Sequence, residues 1–363
     1  MNLAVRTNKM VKCIVKIASK EDDYILREGL KTNQIEGSIS VSFETEPSFF
    51  NAVQVQGKKC QIVVIKTEEE GELIAFGVRA IKPVFVNGEI VNIGYLSSLR
   101  VTSKFRKNIY LAKGYKFLRK LDQDNCAPFY LTTIVEDNLE ARKVLESGKA
   151  GLPTYTPYGN LLTYLVKLDR IKQSKIYKIK KGTDFPLESV INFLHEEGQK
   201  KQFYPYYKVS DFGTGFLKGL KQEDFYIAVN NKEEIVGIFA KWDQRAFKQV
   251  HLTDCNQFKI SGLLKFSPKA KRINFFYVSL FTIKDNEPKI LEDMLLTLSL
   301  DEVDKGFDYF AIGLEEFDPL NEALNHFSSI KYKSKIYIVS FSNIANEIEF
   351  LKKRVPYLEL GAL

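Results

Sequence analysis

Basic side chains crowd a strand-to-helix junction between Ile93 and Leu121. The loop supplies Lys104, Arg106 and Lys107, and the following helix adds Lys113, Lys116, Arg119 and Lys120. The first turn of a helix exposes N–H groups without intrahelical partners and carries about half a unit of positive charge. Such a junction is a ready anion site, suited to a pyrophosphate against the loop and a further phosphate near the lysines. The same residues also read as a solvated helix face with its cations at the end the macrodipole disfavours. Farther along, His251, Asp254 and Cys255 lie close in sequence, and Trp242, Asp243, Gln244 and Arg245 form a polar-aromatic cluster. The first group reads most simply as strand residues and the second as structural, with acceptor recognition as the alternative. His195 and His326 sit in helical patterns and take no role.

The elements that must position the junction follow from hydrophobic period and turn chemistry. Residues 11–17 alternate as a strand does, and Glu21-Asp22-Asp23 opens a short helix through Leu30. Strands follow at 61–66, 72–86 and 90–101, with Asn87-Gly88 as a hairpin signal between the last two. Leu111, Tyr115, Leu118 and Leu121 recur on one helix face. A strand at 129–135 leads to a helix start at Asp137-Asn138, where Asn138 accepts from a first-turn N–H. A short helix (139–146), a loop (148–158) and a strand (161–168) close the first half. Lysine-rich residues 171–181 are the best linker and run into a strand at 176–179.

The order then recurs. A helix at 187–197 precedes strands at 225–229 and 235–242, joined by a turn at 230–233, with His251 on the continuation of the second strand. A strand at 273–283, a helix at 290–303, a strand at 309–313, a helix opened by Asp318-Pro319 and a strand at 335–341 complete it. This is an internal structural repeat with little sequence identity. The fold class expected is α/β with mixed α+β sheets. It comprises two tandem units, residues 1–170 and 171–363, each a twisted, mostly antiparallel sheet flanked by helices.

Composition narrows the function. A chain of 363 residues suits two domains better than one. Phe (27) and Tyr (18) far outnumber the single Trp, which favours sheet-rich cores with ring-lined clefts. The net charge of +8 attracts phosphates of any kind, but it is spread along the chain rather than gathered in a tail. Four cysteines, at 13, 60, 126 and 255, form no C-x-x-C pair, and there are three histidines. These argue against a zinc site and a disulfide framework, so no metal is expected. Residues 1–20 are broken by Lys9, Lys12 and Lys16 and read as no signal peptide. No run approaches the about 18 apolar residues that would span a membrane. The expectation is a cytoplasmic protein with reduced thiols and no membrane partner, a monomer or weak dimer.

Two runs carry a resemblance. Leu99-Arg100-Val101-Thr102-Ser103-Lys104-Phe105-Arg106 is a strand ending in Val, a turn, and an Arg opening a loop. One helix and one strand later, Val135-Glu136-Asp137-Asn138-Leu139-Glu140-Ala141 puts an Asn and an Ala at a helix start. In this order they resemble the cofactor motif and second motif of the GNAT (N-acetyltransferase) superfamily, over roughly residues 60–165. The resemblance implies a V-shaped splay between strands 90–101 and 129–135 that takes acetyl-CoA, or another acyl-CoA, as co-substrate. Pantetheine would pair with backbone at Leu99, Arg100 and Val101, and Asn138 would lie beside it. The pyrophosphate would meet the N–H groups of Arg106, Lys107, Asn108, Ile109, Tyr110 and Leu111. An amine, on a small molecule or a peptide, would attack the thioester directly in a ternary complex, with the carbonyl polarised by backbone donors. The second, degenerate unit would complete the acceptor cleft.

The chain departs from that pattern in its phosphate loop, where Ile109 and Leu111 stand at glycine positions. Leu145 stands where the family has a thiolate-protonating Tyr, and the third strand lacks a Glu to act as base through water. Substitutes are available. Tyr95 and Ser97 alternate on one strand face near the acceptor, and Tyr155 and Tyr158 follow the second-motif helix. A Tyr of ordinary pKa, about 10, can act as an acid toward a thiolate. Each of these also reads as an ordinary member of a sheet-rich core.

Three functions follow: an acyl-CoA-dependent N-acyltransferase, a catalytically decayed binding protein of the same fold, and an aminoacyl-tRNA-dependent transferase or nucleic-acid binder. The last is weakest, because no dense aromatic-basic platform is visible, and nucleic acid is not expected as a partner. Paired GNAT folds occur in the N-myristoyltransferases and the peptidoglycan-bridge aminoacyl transferases, with the acceptor between halves; at motif level this chain looks like neither. If the Arg106 loop holds phosphate, Arg106→Glu weakens CoA binding at least tenfold in a calorimetric titration, about 1.4 kcal/mol. Unchanged affinity would put the site elsewhere.

Overall fold

The computed structural model describes residues 11–32, 41–106, 108–149, 151–171, 175–252, 272–342, 348, 349, 351 and 354–363. The first half contains β1 (Cys13–Ile17), α1 (Asp23–Thr32), β2 (Val41–Glu44), α2 (Phe49–Val53), β3 (Lys59–Thr67), β4 (Leu73–Val86), β5 (Glu89–Val101), α3 (Asn108–Asp122), β6 (Tyr130–Val135), α4 (Leu139–Leu145) and β7 (Thr154–Lys167). The second contains β8 (Lys178–Lys181), α5 (Leu187–Gly198), β9 (Phe225–Val229), β10 (Ile235–Trp242), β11 (Gln249–Leu252), β12 (Phe275–Ile283), α6 (Pro288–Glu302), β13 (Tyr309–Glu315) and β14 (Ser329–Ser340). No described helix is long and apolar enough to cross a membrane.

Local chemistry sets most boundaries. Asn87 and Gly88, with φ of 55° and 95°, make the tight β4–β5 turn that only residues tolerant of positive φ allow. The Asn138 side chain accepts from the Ala141 N–H at 3.1 Å and starts α4. At α6, Pro288 occupies the first turn, where its missing N–H costs nothing, and the Glu287 carboxylate accepts from the Lys289 N–H at 3.2 Å.

The sheet joins the halves. Its order is β1-β3-β4-β5-β6-β14-β7-β13-β12-β10-β9-β8, twelve strands in one unbroken ladder. The two closing strands are exchanged: β7 pairs antiparallel with β13 of the second half, and β14 pairs antiparallel with β6 of the first. β7 and β14 pair with each other along their length, from Ser329↔Val166 to Ser340↔Thr154. The sequence implied one sheet per half; mutual insertion of the last strands merges them. Both strands are longer than their apolar runs suggested, because each is paired on two sides. A small second sheet pairs β2 with β11, also across the halves. It corrects the expectation for His251, which lies on β11 and not on an extension of β10. β2 and α2 are too short to show in the hydrophobic pattern.

Two buried cations of β4 behave oppositely. Arg79, fully buried, donates two bonds to Asp124 (2.9 and 2.7 Å) and one to the Tyr130 hydroxyl (2.9 Å), tying β4 to β6 and the end of α3. The guanidinium holds the Asp124 carboxyl well below the usual carboxylate range. Lys82 is also buried, with the Tyr95 ring centroid 5.2 Å from its ammonium, and burial pulls its pKa down to about 8. Gly94, where β5 meets β6, has no room for a side chain: a Cβ would lie 1.9 Å from the Tyr130 ring.

Gly94→Ala should therefore cost about 1–3 kcal/mol, read as a lower urea midpoint; an unchanged midpoint would mean β5 and β6 are not in this contact. For Lys82 the folded pKa lies below the unfolded one, so the unfolded state binds more protons between about pH 8 and 10.5, and stability rises with pH across that window. Below about pH 8 the penalty for burying the ammonium is fully present. Lys82→Met should raise the melting temperature clearly below about pH 8 and much less above about pH 10. An equal gain at both would show that packing, not charge, is responsible.

Candidate functional site

Where β5 and β6 run parallel they pair only at Gly94↔Tyr130 and Tyr95↔Leu131. One step later Thr132 Oγ1 donates to the Leu96 carbonyl at 2.7 Å, a side chain standing in for a strand partner. Beyond it the strands part. The cause is a bulge in β5: Ser98 takes φ of 53°, and the β4 register slips from Val78↔Ser97 to Phe76↔Arg100, leaving Gly77 opposite two residues. The bulge turns β5 away from β6.

A cavity of about 480 Å³ opens from this splay, a size usual for small-molecule sites, which run from about 300 to 1,000 Å³. Its mouth is lined by Ser98, Leu99, Arg100, Tyr110, Leu111, Gly114, Asn138 and Ala141. It extends among Leu30, Phe49, Val53, Val63, Phe76 and Val78, an apolar region beneath α1 and α2. Toward the second half it is lined by Lys248, Val250, Tyr277, Tyr332, Leu360 and Leu363.

The sequence-derived residues distribute unevenly. Leu99 and Arg100 line the mouth, whereas Val101 packs into the small core of Phe105 and Tyr110. Tyr110 meets Phe105 edge to face at 5.8 Å, and Leu111 packs toward Tyr115; both line the cavity. Ile109 is partly exposed, Asn108 begins α3, and Lys107 lies outside the described residues. Arg106 is half-exposed, 3.9 Å from Glu140 on α4, while Lys104 pairs with Glu72 at 2.8 Å. Asn138 lines the mouth while capping α4.

Among the hydroxyl residues, Tyr95, Ser97 and Tyr155 line the cavity, Tyr95 and Tyr155 from different packing clusters, and Tyr158 does not: it packs on Phe203 at 5.2 Å. Tyr95 lies 3.3 Å from the Thr133 hydroxyl, and burial pushes its pKa up to about 12. Ser97 donates to Gln56 Oε1 at 2.6 Å. The Tyr155 hydroxyl is hydrogen-bonded to that of Tyr115, and burial raises both, Tyr115 to about 12. Phenols held this high stay protonated at neutral pH and give up protons poorly.

Sequence reasoning missed Gln56, Thr132, Tyr115 and Lys248. Lys248 donates to the main-chain oxygens of Gly361 (3.0 Å) and Leu363 (3.3 Å), and burial lowers its pKa to about 7. Nothing in the pattern around Lys248 marks it. The polar-aromatic cluster is engaged structurally. Trp242 donates to the Lys218 carbonyl at 2.8 Å, and Gln244 to that of Gly361 at 2.8 Å. Arg245 lies over the Phe307 ring, 3.8 Å from its centroid. His251 Nδ1 sits 3.1 Å from Glu44, and Asp254 and Cys255 lie outside the described residues.

No protein-family model matches the chain, and no curated protein matches it in sequence. Solved structures do match in shape. Saccharomyces cerevisiae N-myristoyltransferase with bound myristoyl-CoA superposes with a TM-score of 0.61 at 12% identity, over 91% of this chain and 83% of that one. A GCN5-related glucosamine N-acetyltransferase region in a fungal multi-domain GH3 β-N-acetylglucosaminidase gives 0.63 at 9% identity, over 91% and 38%. A GCN5-related N-acetyltransferase from Anabaena variabilis gives 0.50 at 10%, over 90% and 72%. What is shared at such identities is the architecture, and the chain has the GNAT-type fold, with a mostly antiparallel sheet flanked by helices.

Proposed function

We propose that this protein is an acyl-CoA-dependent N-acyltransferase, passing an acyl group from a thioester to an amine by direct attack in a ternary complex. The observation that carries the reading is the β5–β6 splay with a cavity running from it. Past Tyr95↔Leu131 the β5–β6 ladder ends, and the opening it leaves, lined by Leu99 and Arg100, suits a pantetheine arm at Leu99 to Val101. Lys104 and Arg106, both substantially exposed, supply charge for phosphates beside the start of α3. The second half has a matching strand pair, β12 and β13, but Pro288 and the Glu287 cap use up the helix start there.

The chemistry expected of these residues is modest. Backbone N–H groups at the Ser98–Leu99 bulge polarise the thioester carbonyl. Tyr95 and Ser97 orient the amine, which attacks as the neutral base. The Tyr115–Tyr155 pair donates a hydrogen bond to the departing sulfur, and the proton lost by the amine ends on the thiol. Residues 171–363 supply the acceptor side, for a small-molecule or peptide amine.

An acetyl group needs only the mouth of the cavity. The apolar region around Phe49 and Phe76 supports a longer acyl chain, and the yeast N-myristoyltransferase neighbour holds myristoyl-CoA. Each buried CH₂ is worth about 0.8 kcal/mol, so calorimetric affinity should climb about fourfold per methylene beyond acetyl-CoA until the cavity fills. A flat series would mean the added methylenes stay out of the apolar region, and a falling one would confine the donor to acetyl-CoA. No heat with any acyl-CoA at millimolar concentration would sink the proposal, and binding without amide formation on any amine would favour a decayed binding protein.

A further inference from the structure

The second half repeats the first splay and fills it. β12 and β13 pair in parallel only from Phe275↔Tyr309 to Tyr277↔Ala311. β12 then bulges at Leu280 with φ of 51°, matching Ser98, and its register against β10 slips between Ile238 and Ala240. Residues 357–363 occupy the opening. The Glu359 carboxylate, 1% exposed, accepts from the Leu280 N–H at 2.7 Å, the Gly361 N–H at 3.1 Å and the Tyr357 hydroxyl at 2.7 Å. On the other side, a Cβ on Gly313 of β13 would stand 3.3 Å from Leu360. The backbone N–H released by the bulge thus has a ligand built into the chain.

That segment continues into the first site. Leu360 and Leu363 line the cavity, and Leu363 packs into the cluster containing Tyr95 and Leu131, the last paired residues before β5 and β6 part. We propose that Glu359 is a positioning residue: by holding residues 357–363 in the second splay, it sets Leu360 and Leu363 as the wall that keeps water from a thioester in the first. This rests on the acyl-CoA reading. Without the wall, water attacks the thioester carbonyl, the C–S bond breaks, and a carboxylic acid and the CoA thiol form.

The test uses the full chain, with myristoyl-CoA as probe and no amine. In Glu359→Ala, amide exchange at residues 360–363 should accelerate at least about a hundredfold while β3 and β4 stay protected. Thiol release should rise at least about tenfold, with affinity for myristoyl-CoA within about threefold. Should that variant fail to fold, Gly361→Ala addresses the same contact, since its Cβ would press on Trp242 at 2.9 Å and on Gln244 and Ser279 at 3.0 Å; it should give the same pattern. Unchanged exchange in both variants overturns the anchoring. Faster exchange with wild-type thiol release overturns the wall. If the wild type binds no acyl-CoA, the function itself fails; if it binds and these variants behave as wild type, only this inference falls.

Discussion

Parallel strands can share hydrogen bonds only while their backbones run within about 4.8 Å of each other. In this protein β5 and β6 satisfy that condition at two residues and then abandon it. Much else answers to this break. A bulge at Ser98 bends β5 away, the Thr132 side chain replaces the first lost backbone partner, and Gly94 lets the strands approach closely enough to pair at all. The Arg79–Asp124–Tyr130 contacts then fix the start of β6 against β4. A cleft exists because these residues hold two strands together at one end only.

Much of this was legible in the sequence. The Asn87-Gly88 turn, the Asn138 cap and the switch from alternation to helical period at Leu111 each have local causes, and the elements they mark are present. The strand-to-helix junction stood out because strand, basic loop and helix follow one another directly. What escaped notice depends on distant partners. The exchange of β7 and β14 leaves no local mark, since an apolar strand reads alike whichever neighbour it pairs with. Lys248 and Glu359 meet partners about 80 to 115 residues away in the chain, at Leu280, Gly361 and Leu363, which no local pattern reveals. The Tyr155 and Tyr158 hydroxyls are three residues apart on β7, yet one reaches the cavity and the other packs on Phe203. Strand period alone could not settle which face is which.

The two halves show one backbone solution used in two ways. Each has a short parallel pair, a residue at positive φ and a slipped register against its antiparallel neighbour in the sheet. In the first half the opening is a cavity flanked by cations. In the second it is taken by a carboxylate from the same chain, and the adjoining helix start is capped by Glu287. Similar backbone breaks therefore need not make similar openings, because a few residues decide whether the space is left as a cavity or filled by the chain itself.

The exchanged strands also constrain how the molecule is made. β6 cannot gain its second neighbour until β14 has emerged, and β7 cannot gain β13 until most of the second half exists. Pairings this distant in sequence carry a high contact order and form slowly, because a long loop must close before any bond rewards it. During synthesis the first half waits with an open sheet edge, the kind of surface that invites pairing with another chain. Once both strands are home, neither half can loosen fully without withdrawing a strand from the other, which couples the unfolding of the two.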